Sequence, residues 1–517
     1  MLEYFLRQRQ FISIATLHKK GFDVNLRIAK NNTDTLLLFS VAYLLLPNLI
    51  FLLFWFKWWI TSVVLSLLGL VVYKHLKYLG FNLKHLVNGF LKDRSNLLLL
   101  LTAFLVCLLT GVGLFLPQGD LPKHHAVLKI LVESPWPVSI IDQGEKLYLV
   151  YYFAWYLPAA LLGKILGLQA ALVFLFFESF LGLHLVLCWL VRLTKSNKSL
   201  LLPLTIFFLL DGQDSIFILL KHAFHFLFDV EGSRNLLKEL MWQMSYYDFT
   251  LRKFSAAFDL TFVPQQALGA WLATALMVNS IYKKDNSLSV LVLSLSALWS
   301  ALGTIGLLPI FLYSVVSQKL KGVFSTTNLL LGVPIGLLVL IYFQSHLPIY
   351  EQGWIWQHNP AKHWFLRWLS FIVFEFGLYA FLMAKPLKSH PLFKLWIICN
   401  ISLFAMSLFV FGLYNDLLMR ASMPLHFIFV LATVAFYHRL RHRFKKHLLI
   451  LLLATSSCSF FLVIAHLHHS KWQTGLPKIE ESTLFQDMEK KHWFHRQYLG
   501  ESDSFYGKYL SRDSDCN

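Results

Sequence analysis

The stretch Gly119 to His125, with sequence GDLPKHH, brings together the residue types best able to do chemistry. It places a carboxylate, Asp120, just before the cations Lys123 and His124, directly after an apolar run. Such a carboxylate at a membrane surface could act as a general base toward a sugar hydroxyl while the cations bind a lipid phosphate. The alternative is a solvated loop with ordinary polar residues, and spacing alone leaves both interpretations open.

A second group of acids interrupts an apolar run at Asp211-Gly212-Gln213-Asp214. Because an acid in hydrocarbon is costly, it usually faces protein or a water-filled cavity, which favours a role for Asp214. The other interpretation is that the acid marks the point where a helix leaves the bilayer. The next apolar run opens with Pro264, and the following Gln265 and Gln266 supply amides suited to sugar hydroxyls, although a helix start needs no ligand to explain it.

Two later sets of polar residues are also candidates. Arg420 has the forked guanidinium that suits phosphate, but Asp416 lies one helical turn before it, so the two can simply pair. Glu178 and Glu375 lie midway along apolar runs, and His184 shares a run with Glu178. These three predict either a proton route or buried groups with structural partners, of which Arg367 is one.

Composition places the chain among polytopic membrane proteins, since 57% of residues are hydrophobic, 14% are charged and the mean hydropathy is +0.58. Runs such as Leu36 to Phe56 and Leu168 to Leu193 approach the roughly 20 residues that cross a bilayer. The net charge of +18 resides in short loops beside these runs, as the positive-inside bias predicts. The basic residues therefore indicate topology, and no nucleic-acid partner is predicted.

With basic loops taken as cytoplasmic, the runs predict an all-α bundle of about 13 spans, N-terminus inside and C-terminus outside. Residues 1–34 form a basic amphipathic cytoplasmic leader, 35–466 the transmembrane domain and 467–517 a polar outer tail. The run Leu147 to Gly167 is assigned to a juxtamembrane or re-entrant outer helix, because a crossing there would invert the basic loops that follow. The long loops, which predict an outer site, are 117–146, 221–262 and 345–363.

The cysteines give no sign of a metal centre or a disulfide. Cys-x-x-Cys and Cys/His ligand spacings do not occur in the sequence, and four of the five cysteines fall inside apolar runs. We therefore predict no structural zinc and no disulfide.

The acid in the first large outer loop, the juxtamembrane helix, the second acid and about a dozen spans together resemble the GT-C superfamily of membrane glycosyltransferases. The chain is also similar to a group of uncharacterised bacterial membrane proteins. The shared motifs are Asp120-Leu-Pro-Lys123-His124, Ser134-Pro135-Trp136-Pro137, Tyr151-Tyr152 with Leu157-Pro158, Val263-Pro264-Gln265, Asn415-Asp416 with Met419-Arg420-Ala421-Ser422, and Asp503-Ser504.

The resemblance implies transfer of a hexose or pentose from a polyprenyl phosphate to an envelope acceptor, which could be a lipid, a glycan or a protein. Asp120 matches the first-loop catalytic acid and Asp214 the second acid. Cations at Lys123, His124 and Arg420 would bind the phosphate, while Gln265, Gln266 and Asp416 would complete the substrate site. The implied place is the inner membrane, and the lipid-linked sugar is a co-substrate, with no metal or other cofactor implied.

The chain lacks the Lys-Pro-Pro-Leu motif of aminoarabinose-type transferases and the tryptophan-rich acceptor motif of oligosaccharyltransferases, so donor and acceptor stay open. A transporter or flippase of a lipid-linked or envelope precursor is the main alternative, which Glu178 and Glu375 keep open. A structural role in an envelope complex is the third.

Overall fold

The computed structural model describes residues 23–76, 94–112, 121–142, 144–196, 199–227, 236, 239–240, 251–253, 255–347, 351–358, 364–412, 415–440, 443–469 and 498–513. Asp120 and most of the predicted leader and tail lie outside these residues. The described part is predominantly helical, which confirms the all-α class, with three short π-helical segments and five short strands.

In the first half of the chain the helices and strands are α1 (Asp23–Trp55), α2 (Trp58–Leu76), α3 (Arg94–Thr110), α4 (Leu121–Glu133), β1 (Ser139–Asp142), β2 (Glu145–Leu149), α5 (Leu157–Leu166), α6 (Leu168–Thr194), α7 (Leu201–Leu209), α8 (Asp214–Leu227) and α9 (Ala256–Phe262). In the second half they are α10 (Pro264–Lys283), α11 (Ser289–Ala297), α12 (Ala301–Ser317), π1 (Asn328–Gly332), α13 (Val333–Gln344), β3 (Gln352–Trp354), α14 (Ile355–His358), α15 (Trp364–Ile372), π2 (Val373–Gly377), α16 (Leu378–Leu387), α17 (Phe393–Met406), β4 (Phe409–Phe411), α18 (Asp416–Arg439), α19 (Arg443–His469), β5 (Leu499–Glu501) and π3 (Tyr506–Leu510).

Within the described residues, five helical segments are long and apolar enough to cross a membrane, and six if the bent pair of α7 and α8 counts as one. These features are consistent with a membrane protein. The predicted bundle of about 13 spans is not confirmed, because several predicted spans are apolar helices of 10–17 residues. At a rise of 1.5 Å per residue, 17 residues cover about 25 Å, short of the roughly 30 Å hydrocarbon core.

The prediction of a helix over the whole run Leu147 to Gly167 is wrong for its first part. Residues Glu145–Leu149 form β2, which pairs with β1 on one side and β5 on the other. Only Leu157–Leu166 is helical, and Pro158 lies in its first turn, where the missing N–H removes no helical hydrogen bond. One partner, β1, ends at Asp142 and forms a local hairpin with β2, whereas the other partner, β5, lies far along the chain.

The apolar run that Asp211-Gly212-Gln213-Asp214 interrupts does not form one continuous helix. Helix α7 ends at Leu209, α8 begins at Asp214, and the two helices are bent by 46°. The break is held by Gln213, whose backbone N–H donates to Phe374 O at 2.7 Å in π2. Its side-chain amide donates to Tyr379 Oη at 2.7 Å and to Leu452 O at 2.9 Å, so α16 and α19 fix the bend.

The centre of the bundle contains α10 and α18, which are buried along most of their length. Indole N–H groups link other helices to each other, with Trp155 donating to Ser179 Oγ at 2.7 Å and Trp189 donating to Ser40 Oγ at 2.8 Å. Each such bond between membrane helices contributes about 0.6 kcal/mol on average. These hydrogen bonds fix the positions of neighbouring helices along each other, and packing holds most of the core together.

The chain end from Tyr498 to Asp513 folds back onto the bundle. Strand β5 pairs with β2 in antiparallel register, and Lys57 N–H donates to Leu510 O at 2.9 Å. The Tyr506 side chain is fully buried, and its hydroxyl donates to Trp55 O at 3.1 Å. These contacts place the tail, the α1–α2 turn and the β1–β2 hairpin at the same end of the bundle.

At 1.5 Å per residue, helix α18 is about 35 Å long. Two groups of loops lie at its two ends. At the far end, Arg439 donates to Ser389 Oγ at 2.6 Å, beside the basic residues that follow α16. At the near end, Asp416 and Arg420 both act electrostatically on Tyr152. Tyr152 in turn lies against Phe343, with ring centroids 5.6 Å apart, just before the loop that touches β5.

Candidate functional site

Six buried charged side chains converge where the α7–α8 break, π2, α9 and the start of α18 meet. We call them the polar cluster: Asp211, Asp214, Lys253, Asp259, Glu375 and Arg420. They come from four separate stretches of the chain, with Lys253 directly before α9. Because charged groups in a protein interior are stable only when paired, these residues must be understood together.

Lys253 is the centre of the polar cluster. Its Nζ lies 3.5 Å from Asp211 Oδ1 and 4.0 Å from Glu375 Oε2. Burial by itself would lower the pKa of Lys253, but Asp211, Glu375 and Asp259 more than reverse that shift and leave the pKa above its ordinary value. Lys253 therefore stays cationic and compensates several acids at once.

Glu375 belongs to this cluster and has no need of Arg367, the partner that the sequence suggested. It projects from π2 onto Gly212, where an added Cβ would lie within 3.0 Å of the Glu375 carboxylate. A side chain at position 212 would force this carboxylate, the end of the Glu375 side chain, to shift. Such π-helical insertions occur frequently at functional sites.

Asp259 and Lys253 were missed by the sequence reasoning, since both fall in a stretch interpreted as an outer loop. Asp259 lies on the short helix α9, which Ser255 caps by accepting a hydrogen bond from Phe258 N–H at 3.3 Å. A serine followed by the run AAFDL is an N-cap signal that could have revealed this helix. Nothing in the sequence indicated its neighbours.

The environment of Asp259 is strongly desolvated, with the residue 1% exposed. Among the described residues its Oδ1 has no hydrogen-bond partner. Burial raises the pKa of Asp259 well above its ordinary value, and Arg420 and Lys253 offset only part of that shift. Desolvation thus dominates, which favours a neutral carboxyl at this position.

The predicted pairing of Asp416 with Arg420 is present, with the guanidinium 3.6 Å from Asp416 Oδ1. Asn415 adopts a left-handed conformation and caps α18 by accepting a hydrogen bond from Leu418 N–H at 3.4 Å. The pair does not use the whole guanidinium, because Arg420 Nε has no hydrogen-bond partner among the described residues. Arg420 is 9% exposed, and the Asp416 side chain reaches toward solvent.

Helix α4 begins directly after Asp120, which itself lies outside the described residues. The ring of His124 is fully buried, with Nδ1 2.6 Å from Tyr156 Oη and Nε2 2.9 Å from Phe262 O. These two contacts anchor α4 to α5 and to the end of α9. A phosphate contact by His124 stays a prediction and requires one of them to open, whereas Lys123 is half-buried beside it.

Gln265 and Gln266 differ in their surroundings. Gln266 Oε1 accepts a hydrogen bond from Ser300 Oγ at 3.1 Å, a contact that joins α10 to the start of α12. Gln265 is 1% exposed, and within the described part of the chain neither its amide oxygen nor its amide nitrogen has a partner. Gln265 is therefore the better placed of the two to meet a ligand.

The predicted proton route divides between two regions. The backbone carbonyl of Glu178 accepts a hydrogen bond from Tyr43 Oη at 3.2 Å, and His184 lies beside Cys188 at 3.5 Å on the same helix. Glu375, in contrast, makes its contacts inside the polar cluster. The contacts around Glu178 and Glu375 thus differ, although Glu178 Oε2 is buried and has no partner among the described residues.

Metal ligation is not suggested by the geometry. In the part of the chain that the structure describes, no group of three or more His, Cys, Asp or Glu side chains could hold a metal ion. Cys107, Cys188, Cys399 and Cys458 form no disulfide among the described residues. Comparisons with protein-family models, curated proteins and solved structures find no match for this chain.

Proposed function

We propose that this protein is an inner-membrane glycosyltransferase of GT-C type that moves a sugar from a polyprenyl phosphate to an envelope acceptor on the outer face. The observation that carries the proposal is the hydrogen bond from His124 to Phe262 O, at 2.9 Å. It joins the first-loop helix, which starts after Asp120, to the short helix of Asp259. Helix α4, which follows Asp120 in the sequence, and the polar cluster thereby lie at the same end of the bundle.

The proposal includes about 13 crossings with the N-terminus inside and the C-terminus outside. Support comes from the grouping of loops, since the tail, the β1–β2 hairpin and the loop after α13 touch one another. Basic residues gather at the other end, where the basic residues Arg439 and Lys195 both act electrostatically on His390. Positive charge at one end is what the positive-inside bias predicts for a cytoplasmic face.

In the proposed reaction, an acceptor hydroxyl attacks the anomeric carbon of the lipid-linked sugar and gives its proton to Asp120. The bond between that carbon and the phosphate oxygen breaks, and the lipid phosphate leaves with the electron pair. Lys123, His124 and Arg420 stabilise the growing negative charge. Asp214, Gln265, Gln266 and Asp416 orient the sugar and the acceptor.

Titration of the protein in nanodiscs with undecaprenyl phosphate tests this proposal. Arg420→Gln and Lys123→Ala each remove a charged partner worth about 1.5–3 kcal/mol, so affinity should fall by roughly 10- to 150-fold. Lys394→Gln is the matched control, because Lys394 is an exposed cation on α17, which follows the basic loop after α16. Asp120→Asn should keep binding and lose transfer. Absence of binding to any polyprenyl phosphate would refute the proposal.

A transporter or flippase is the second candidate, and the 46° break between α7 and α8 favours it. Broken helices with charged groups at the break commonly line transport pathways. Reconstitution with a fluorescent undecaprenyl phosphate separates the two functions. Movement of the lipid between leaflets without any sugar transfer would favour the transporter, whereas transfer without movement would favour the enzyme.

A further inference from the structure

Asp259 occupies an unusual place in the polar cluster. It is 1% exposed, and its Oδ1 has no hydrogen-bond partner among the described residues. Arg420, whose Nε is likewise without a partner there, acts on Asp259 electrostatically, and so does Lys253. The Arg420 Nε–H is an unused donor and Asp259 Oδ1 becomes a second donor when it is protonated, so these two groups and Lys253 form a setting that a negatively charged group would complete.

The charged and titratable groups around Asp259 come from several elements. Arg420 on α18 and Lys253 before α9 are the cations, and Asp211 in the α7–α8 break is the facing acid. His124 on α4 reaches the same short helix through Phe262 O. The other helices packed against α9 are α3, α7, α10 and α19. Their titratable groups are Arg94 and Cys107 on α3, Tyr282 and Lys283 on α10, and Arg443, Lys445, Lys446, His447, Cys458, His466, His468 and His469 on α19, with none on α7.

We propose that Asp259 in its protonated form donates a hydrogen bond to the phosphate group of the ligand, beside Arg420 and Lys253. This inference depends on the proposed function, since it concerns the phosphate of the proposed donor lipid. An ionised carboxylate would repel a phosphate, whereas a neutral carboxyl supplies a donor that complements the two cations. The same chemistry fits a lipid headgroup or free phosphate, which the experiment must distinguish.

The proton has a measurable consequence. Because only protonated Asp259 donates, binding is strongest below the pKa of Asp259 in the free protein and weakens as the pH rises through that pKa. The loss approaches about tenfold per pH unit above it. Burial raises this pKa above the ordinary value for aspartate, so the weakening falls at higher pH than an exposed aspartate would give. Binding at such a pH also takes up a proton.

The test is a titration of wild type and Asp259→Asn in nanodiscs with undecaprenyl phosphate, and separately with inorganic phosphate, from about pH 5 to about pH 9. The amide of Asp259→Asn donates at every pH and nearly matches the carboxyl in shape. The other ionisable groups of the polar cluster, and the phosphate itself, whose second pKa is about 6 in a phosphate ester, contribute to both curves, so the ratio of the two curves isolates Asp259. We expect the ratio of wild-type to variant affinity to fall by about tenfold per pH unit above the pKa of Asp259.

Equal pH dependence in wild type and Asp259→Asn would overturn the inference while leaving the proposed function intact. No binding of undecaprenyl phosphate by wild type at any pH would instead overturn the proposed function and the inference with it. If inorganic phosphate binds with the same pH dependence, the protein recognises the phosphate alone. If inorganic phosphate does not bind, the protein recognises the lipid headgroup.

A second measurement keeps the inference testable if Asp259→Asn folds poorly. Calorimetry of wild type in two buffers of different ionisation enthalpy reports the protons taken up on binding. Below the second pKa of the phosphate, the protons taken up come from both the phosphate and Asp259. Above it, uptake that persists in wild type and in an Asp214→Asn variant supports Asp259, whereas zero uptake in wild type contradicts the inference.

Discussion

Substitution of Gly306 by alanine should separate the two helices that position Arg420. Helix α12 crosses α18 at this glycine, where an added Cβ would lie within 3.0 Å of Ala421 O. The obstructing atom belongs to the backbone of a buried helix and cannot rotate away. The helices would have to move apart by about 1 Å to restore an ordinary contact.

The expected energy follows from two opposing effects. Overpacking of this kind costs about 1–3 kcal/mol, and alanine returns about 0.5–1 kcal/mol as a better helix former than glycine. We therefore expect Gly306→Ala to lose up to about 2.5 kcal/mol of stability. Since Arg420 directly precedes Ala421, its guanidinium shifts too, and a 1 Å displacement at a reactive site can cost about 100-fold in rate.

Unfolding of the purified protein in detergent, followed by tryptophan fluorescence, measures this loss. The control is Gly69→Ala on α2, where an added Cβ meets nothing within 4 Å. That variant should be as stable as wild type or slightly more stable. If Gly306→Ala proves as stable as Gly69→Ala, the close approach of α12 and α18 is wrong.

Three further substitutions test the polar cluster and the folded-back tail. Gly212→Ala should displace the buried carboxylate beside it and destabilise the protein by about 1–3 kcal/mol in the same unfolding assay, and no loss would contradict the tight contact. Tyr506→Ala removes a fully buried ring and should cost about 3–5 kcal/mol, while Tyr509→Ala, at a 59% exposed position, should stay within about 0.5 kcal/mol. Lys253→Met leaves buried acids without their cation and should cost about 3–5 kcal/mol, whereas exposed Lys394→Met should change little, and similar stabilities would refute the central role of this lysine.

The helical class, and apolar helices of the kind consistent with a membrane protein, follow from the sequence because they depend on local composition. Apolar runs longer than the strands of soluble proteins predict helices. Most of these runs are helical, and their ends lie close to those expected. Local chemistry also determines where helices begin. Pro158 and Pro264 lie in the first turns of α5 and α10. The pairing of Asp416 with Arg420 was predictable for the same reason, since one helical turn separates them.

The composition of the candidate site, in contrast, was decided by the tertiary structure. Lys253 and Asp259 gave no strong signal, because a lysine or an aspartate in a polar stretch is ordinarily solvated. Only the fold of the chain around α9 buries them, against acids that come from the α7–α8 break and from π2. A hydrophobic pattern reports which residues are buried, but it carries no information about which buried groups meet.

The same limit applies to the chain end. The sequence shows a polar tail, and the three-stranded sheet that β5 completes joins residues about 350 positions apart. Likewise, Glu375 finds Lys253 and not Arg367, the cation on its own helix. Local patterns thus determined the helices and their apolar character. Long-range packing determined the partners, because desolvation forces each buried charge to find whichever opposite charge the fold brings near.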